Sequence, residues 1–461
     1  MTTAILLFTR DLRLHDHPAL VAAAAADRVV PLFVLDDAIL ATGPSPNRLQ
    51  FLLDSLTDLD ASLRRLSDGG DGGLVVRRGD PAVVVRDLAH EVGASVVHLT
   101  ADVSPFAASR LDRLLTAAAE VGAEVVTHPG HLVVEPGQVT PASSDHYRVF
   151  TPYWRRWWDA AHRAPVALPE RLRLPDGLDR GVIPDLREVV DGTPSPEVIR
   201  GGETAGRARL EAWLDDSATN GIADYDVERD RMDHEGTSRL SADLHLGTVS
   251  AAELVDRLDL RRAGHEPFAR QLCWREFNHQ ILAANPRITR EDLRSQGDRW
   301  RDDDDALQAW QDGMTGFPVI DAGMRQLRTE GWMHNRARLL TASFLTKHLH
   351  IDWRAGAAHF DHWLVDGDVA NNISQWQWVA GTGTDSRPNR VFNPVTQSQR
   401  YDPDGAYIRR HVPELASVDG DAVHAPWESD GAPPAGYPAP IVDHAEARER
   451  FLAARGADGR L

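Results

Sequence analysis

Residues 366–378 read DGDVANNISQWQW and place two carboxylates, two adjacent carboxamides and two tryptophans within one short span. Each buried polar group must find a partner or cost stability, so an apolar core helix would not carry so many. A solvated loop would not ordinarily hold two tryptophans. Amide hydrogen-bonders beside large aromatics fit a pocket for a flat, polar-edged heterocycle. A second polar string, EGTSRLS at 235–241, sets Thr237, Ser238 and Ser241 around Arg239. Hydroxyls and unpaired amides at a helix start can hold a phosphate that an arginine neutralises, although this string taken alone reads first as a plain helix cap. In GWMHNRARLL at 331–340, Asn335 and Leu339 share a helical face at i and i+4 while Arg338 points elsewhere. Trp274, Trp300, Trp353, Trp376 and Trp378 would each read singly as core residues.

The elements that must position these residues are of two kinds. Short, β-branched apolar runs at 4–9, 29–35, 74–79, 95–100 and 123–128 alternate with helical patterns at 46–66, 81–92 and 105–121, each helix opened by a proline. That alternation predicts a doubly wound parallel sheet. No GxGxxG follows the first strand; the polar TRDLRLHDHPAL stands there instead, at the strand end where such sheets bind ligands. Residues 129–205 are rich in Pro, Gly and Asp and read as a connector, interrupted by the aromatic HYRVFTPYWRRWWDA at 146–160. Beyond 205 the periodicity is helical throughout. The organisation expected is an α/β domain over 1–128, the connector over 129–205 and an all-helical domain over 206–461.

Composition narrows the function class. A chain of 461 residues exceeds one ordinary core, in line with two domains. Its single cysteine, Cys273, excludes an internal disulfide framework and any cysteine-rich metal site, and no metal is expected. No apolar run approaches a membrane span, and MTTAILLFTRDLR lacks the features of a signal peptide, so a cytoplasmic monomer is expected. The net charge of −19 argues against a nucleic-acid partner on average. Between 321 and 412, however, eleven basic residues outnumber nine acidic ones, so the acid lies elsewhere. Lys347 is the one lysine.

The strings FTRDLRLHDHPAL, YDVERD, EGTSRLS, WREF, GFPVIDAGMRQL, GWMHNR, DGDVANN, WQW, TGTD and FNP, in this order, resemble the flavin-dependent DNA photolyase/cryptochrome family over nearly the whole chain. The nearest likeness is to class I cyclobutane pyrimidine dimer photolyases. The resemblance implies an antenna domain followed by a helical FAD-binding domain. It places Tyr225, Thr237, Ser238, Arg239, Leu240 and Ser241 on the cofactor's phosphates and ribityl chain, with Arg338, Asp366, Gly367, Asp368 and Asn372 about the flavin. Asp366 should pair with Arg338 and Asn372 should face flavin N5. Trp376, Trp353 and Trp300 match an electron relay, and Trp274 and Trp378 would stack on a flipped-out dimer. Arg229, Gln271, Asn335, Arg336 and Gln397 fall at positions that contact lesion or DNA backbone.

The implied chemistry is light-driven electron donation from reduced FAD into DNA containing pyrimidine dimers. Two residues depart from the best-known dimer enzymes: Gln271 stands for a glutamate and Leu339 for a methionine. Glutamine is shared with (6-4) photolyases, which need histidines where this chain has Asn335 and Leu339, so that activity is disfavoured. The loop TADVSPFAASR lacks the Asn-Glu pair of folate-binding members, which favours an 8-hydroxy-5-deazaflavin antenna over a folate. A cryptochrome photoreceptor is the alternative; retained Trp274 and Trp378 and the lack of a long signalling tail count against it.

Overall fold

The computed structural model describes residues 1–67, 72–215, 217–428 and 435–456. Strands β1 (Thr3–Phe8), β2 (Arg28–Asp36), β3 (Val75–Gly79), β4 (Ala94–Thr100) and β5 (Glu124–His128) form a parallel sheet in the order β3-β2-β1-β4-β5. β1 is buried along all six residues, which explains its unbroken apolar run. Helices α1 (Pro46–Leu66), α2 (Pro81–Val92) and α3 (Pro105–Glu120) start at the prolines read from sequence. Ser45, Asp80 and Ser104 cap them by accepting from first-turn amides, so the missing proline N–H costs nothing. Among the described residues no strand follows β5, and the rest of the chain is helical with irregular connections.

Two compact units result. One comprises Met1–Pro194, Ile199–Ile222 and Ser238–Pro286; the other comprises Ser195–Val198, Ala223–Thr237 and Arg287–Leu461. The sequence boundary at 128 thus marks the end of the last strand and that at 205 falls inside the helix Glu203–Leu214, while the first unit continues through α4 (Phe150–Trp158) and α5 (His265–Ala284). The stretch after β1 supplies the reason. Arg13 is only 2% exposed and donates to the carbonyls of His15, Asp16, Gly130 and Gly247 at 2.9–3.1 Å. Asp16 accepts from Arg163, Ser250 and the Val166 amide, and Glu203 accepts from the Leu14 and His15 amides. Much of the polar stretch that sequence marked as a ligand end is therefore a structural hub.

The second unit is built on α6 (Asn335–Ser343), which runs into a π-helical turn at Phe344–His348, followed by α7 (Trp353–Trp363), α8 (Val369–Ala380), α9 (Pro394–Tyr401) and α10 (His444–Ala454). Gly356 of α7 admits Trp376 of α8: a Cβ there would lie 2.1 Å from the indole ring. No helix among the described residues is long and apolar enough to cross a membrane.

The aromatic segment at 146–160 docks within the first unit as α4. Trp157 Nε1 and the amides of Val133 and Val134 all donate to the buried carboxylate of Glu276, in the WREF string of α5, at 2.6–3.0 Å. Burial pushes that carboxyl up despite these bonds. Orphaned buried donors cost about 1–3 kcal/mol each, so Glu276→Ala should destabilise the protein by roughly 3 kcal/mol or more. Thermal unfolding should show a large fall in Tm for Glu276→Ala; an unchanged Tm would refute the role assigned to the carboxylate.

Candidate functional site

The stretch at 366–378 begins as a turn and becomes α8. Asp368 is the helix cap, its Oδ1 accepting from the Asn371 amide at 2.9 Å and from Asn371 Nδ2 at 2.7 Å. The Asp368 amide donates to Asp366 O at 2.7 Å. The Asp366 carboxylate meets Arg338 of α6, with Nη2 2.8 Å from Oδ2. Arg338 is fixed by a second bond, from Nε to Met333 O at 2.8 Å. The other carboxylate oxygen, Asp366 Oδ1, is buried without a hydrogen-bond partner, as is Ser374 Oγ on α8. Buried acceptors are normally satisfied, so this cluster suits a polar-edged ligand. Gly367 is buried between the two carboxylates, and Asn372 Nδ2 donates to Ala357 O at 3.0 Å, so its amide is anchored to α7.

Tyr225 is buried, and burial pushes its phenol well up. Thr237 belongs to the second unit; Ser238, Arg239, Leu240 and Ser241 belong to the first. Arg239 adopts φ +51°, an uncommon conformation for a side-chain-bearing residue, and Leu240 caps the short helix Ser241–Leu246. Ser238 Oγ accepts from the Leu240 amide at 3.4 Å. A helix starts at Ser241, but Leu240 holds its N-cap position without a side-chain cap bond, so the hydroxyls of the string do not form the plain cap that its residue types suggest.

Trp376 and Trp353 lie in the second unit's core, and half-exposed Trp300 packs against it. Phe360 and Trp310 meet the Trp376 ring at 4.9 and 6.1 Å between centroids. Trp353 Nε1 donates to Asp292 at 2.9 Å, and Trp300 meets His350 edge-on at 5.4 Å.

The residues expected to touch DNA divide between the units. In the first, Gln271 is exposed on α5, and half-buried Trp274 stacks flat on Phe150 at 3.8 Å. One indole face is therefore already covered. In the second, Asn335 is exposed and Trp378, Gln397, Arg229 and Arg336 are half-buried. Both arginines carry partners: Arg229 pairs with Asp226 at 3.4 Å, and Arg336 pairs with Asp230 at 2.7 Å while lying 4.6 Å above the Tyr401 ring.

A separate polar cluster sits at the carboxyl end of the sheet, near the switch in strand order between β1 and β4. Arg10 pairs with Asp102 at 2.9 Å. Burial alone would raise the Asp102 carboxyl, but Arg10 and the Ser104 amide outweigh it and hold it low. Asp36 Oδ2 and Arg110 Nε are buried there without hydrogen-bond partners.

Comparison with known proteins gives these sites a context. A family model described as DNA photolyase matches residues 4–171, and one described as the FAD binding domain of DNA photolyase matches 268–457. The deoxyribodipyrimidine photo-lyase of Streptomyces griseus is 52% identical, covering 99% of this chain and 100% of the relative. The chain belongs to the DNA photolyase/cryptochrome family. A photo-lyase so named from Halobacterium salinarum is 39% identical over 96% of this chain and 97% of its own. Among solved structures, a class III photolyase from Agrobacterium tumefaciens matches with TM-score 0.90 and 34% identity, over 99% of this chain and 97% of that one. A Synechocystis cryptochrome matches with TM-score 0.89 and 28% identity over 99% of each chain. An archaeal photolyase from Sulfolobus tokodaii, described with two FAD molecules, matches with TM-score 0.86 and 31% identity over 99% and 100%.

The match to the FAD-binding model supports FAD as the photolyase cofactor, and α6, α7 and α8 all fall inside it. Sequence reasoning missed Gly356, whose missing Cβ admits Trp376, Lys347, which donates to the Pro388 and Arg390 carbonyls, and Arg390, whose guanidinium lies 5.1 Å from the Trp378 ring. Being the single lysine was a signal for Lys347, and standing two residues before FNP was one for Arg390. If Asp366 helps to hold FAD, Asp366→Ala should leave Arg338 without its partner and lower flavin retention. The ratio of flavin to protein absorbance after gel filtration measures this; full occupancy in the variant would count against the site.

Proposed function

We propose that this protein repairs DNA in light, splitting cyclobutane pyrimidine dimers with an electron from reduced FAD. The observation that carries the proposal is the retention of two partly exposed indoles, Trp274 and Trp378, in a chain so similar throughout to named deoxyribodipyrimidine photo-lyases. Aromatic faces of this kind take unstacked bases, at roughly 1–3 kcal/mol per base. A bound, reduced flavin would supply the photoexcited electron.

Within that proposal the chain's own residues divide the remaining work. Arg338, Asp366, Gly367 and Asp368 hold the flavin edge, while Tyr225, Thr237 and Ser238 to Ser241 hold the phosphates and ribityl chain. Asn372 presents a neutral amide, which tolerates a reduced, anionic flavin where a carboxylate would repel it. Trp376, Trp353 and Trp300 relay electrons to recharge the cofactor. Trp274 and Trp378 stack on the dimer, and Gln271 offers amide donor and acceptor groups to thymine carbonyl and imide groups. Arg229, Asn335, Arg336 and Gln397 hold lesion or backbone. An antenna chromophore, an 8-hydroxy-5-deazaflavin before a folate, fits the cluster around Asp36 and Arg110; the two-FAD archaeal neighbour makes a second flavin the next choice.

A cryptochrome photoreceptor is the second reading, favoured by the cryptochrome neighbour. Photoreduced protein mixed with an oligonucleotide bearing one cyclobutane dimer separates the two. Repair in light and none in darkness is expected, and no repair under either condition would move the cryptochrome reading ahead. A (6-4)-containing oligonucleotide should remain unrepaired.

Trp376→Phe should retain FAD but slow photoreduction of oxidised flavin, because phenylalanine is much harder to oxidise. Repair by chemically pre-reduced enzyme should survive that change, and unchanged photoreduction would show another donor at work. Binding to lesion duplex should weaken with salt despite the −19 charge, with a log–log slope near −0.9 for each phosphate contact. Arg336→Ala should make that slope shallower; an identical slope would place Arg336 off the phosphates, with Asp230 as its only ionic partner.

A further inference from the structure

We infer that the charge on His350 controls the outer end of the tryptophan relay: a neutral imidazole lets Trp300 be oxidised, and an imidazolium in the same place opposes it. The inference rests on the relay reading above, in which Trp300 gives one electron to oxidised Trp353 and keeps the positive charge. Trp300 is half-exposed, and the His350 ring meets it edge-on, with 5.4 Å between centroids and 75° between planes. A second positive charge at that separation acts directly on the balance between oxidised Trp353 and oxidised Trp300. With an effective dielectric constant of about 20 and some screening by water at the indole, the shift is roughly tenfold or more.

The imidazole is held in that place at some cost. His350 adopts φ +57°, an uncommon conformation for a residue with a side chain, and such backbones persist only where their surroundings hold them. Arg301, next in the chain to Trp300, donates its amide to His350 O at 2.8 Å and so ties the two residues together. Phe451 of α10 meets the imidazole edge-on at 5.9 Å. His350 is 5% exposed, and its Nε2 is buried with no hydrogen-bond partner to commit it to one protonation state. The charges that face the ring come from the segment before Trp300 and from the end of α10. Asp298 Oδ1 lies 4.0 Å from Nε2, but that carboxylate is engaged by Nε and Nη2 of Arg455. Arg301 pairs with Asp303 at 2.8 Å, and exposed Arg450 donates to His348 O at 3.2 Å. Burial pushes the imidazole below its ordinary range, Arg455, Arg301 and Arg450 push it the same way, and Asp298 opposes them. The ring is therefore neutral where the relay must run, and it gains its charge only on the acid side.

The test reads the flash-induced signal of oxidised tryptophan in the FAD-loaded full chain across roughly pH 5–8, the range in which imidazoles titrate. His350→Asn is the informative variant, because asparagine is neutral throughout and accepts left-handed backbone. The wild-type yield should fall roughly tenfold towards the acid end, while His350→Asn keeps its neutral yield, its flavin content and its Tm. The fall should share its midpoint with the His350 imidazole, followed by NMR as the resonance lost in His350→Asn. That midpoint should lie below the ordinary imidazole value of about 6.5. Arg450→Gln, a change at an exposed position, should move both midpoints upward together, and it decides the matter alone if His350→Asn does not fold. A wild-type yield that does not fall, a fall that persists in His350→Asn, or midpoints that differ or move apart would each overturn the inference. Trp300→Phe checks the underlying reading separately, since it should lose most of the long-lived signal at every pH. An unchanged signal there would remove Trp300 from the relay, whatever His350 does.

Discussion

The first unit depends on burial of charge that cannot stay buried alone. Asp11, Arg13, Asp16 and His17 sit within the loop that leaves β1, all hidden from solvent. An isolated buried guanidinium or carboxylate is prohibitively unfavourable, so each must draw in partners. Asp11 and His17 pair with each other at 3.1 Å, while Arg13 and Asp16 take partners from far along the chain: Gly130, Arg163, Val166, Gly247 and Ser250. Segments at 130, 163–166 and 247–250 are brought onto that loop by the requirement. The same loop therefore decides that a five-stranded sheet and a set of helices far from it in sequence form one compact body.

In the second unit the same rule is left partly unmet. Arg338 satisfies one oxygen of Asp366, while the other has no protein partner although it is buried. A structural ion pair would be expected to complete its bonding, as Glu276 does with three donors in the first unit. The contrast separates a carboxylate that holds the fold from one that suits a ligand. Both lie in strings that resemble the family, so the strings alone could not separate them.

The βα alternation was legible because strand and helix periods differ and because prolines and capping side chains mark each helix start. The Arg338–Asp366 pair was legible only through resemblance, since nothing in the spacing of 338 and 366 brings them together. The extent of the first unit was not legible, because hydrogen bonds between residues such as Arg13 and Gly247 carry no local signal. The aromatic run at 146–160 stands out from the connector by composition, but its use of Phe150 to cover one face of Trp274 carries no local signal. Nor was the pairing of Arg336 with Asp230, which half-cancels a residue assigned to a phosphate.

That pairing bears on how so acidic a chain could face a polyanion. Acidic residues outnumber basic ones by 69 to 50, yet what matters to a phosphate is which cations keep their charge unspent. Arginines in short bonds to carboxylates, such as Arg338 with Asp366 and Arg336 with Asp230, contribute little net field beyond the pair. Those held over aromatic rings keep theirs, because stacking fixes a guanidinium without neutralising it. Arg400 is one such cation, 5.2 Å from the Tyr401 ring, and Arg390 is another, near the Trp378 and Phe392 rings. Aromatic residues in this unit therefore serve two ends at once: they offer faces for unstacked bases, and they hold arginines in place with their charge intact.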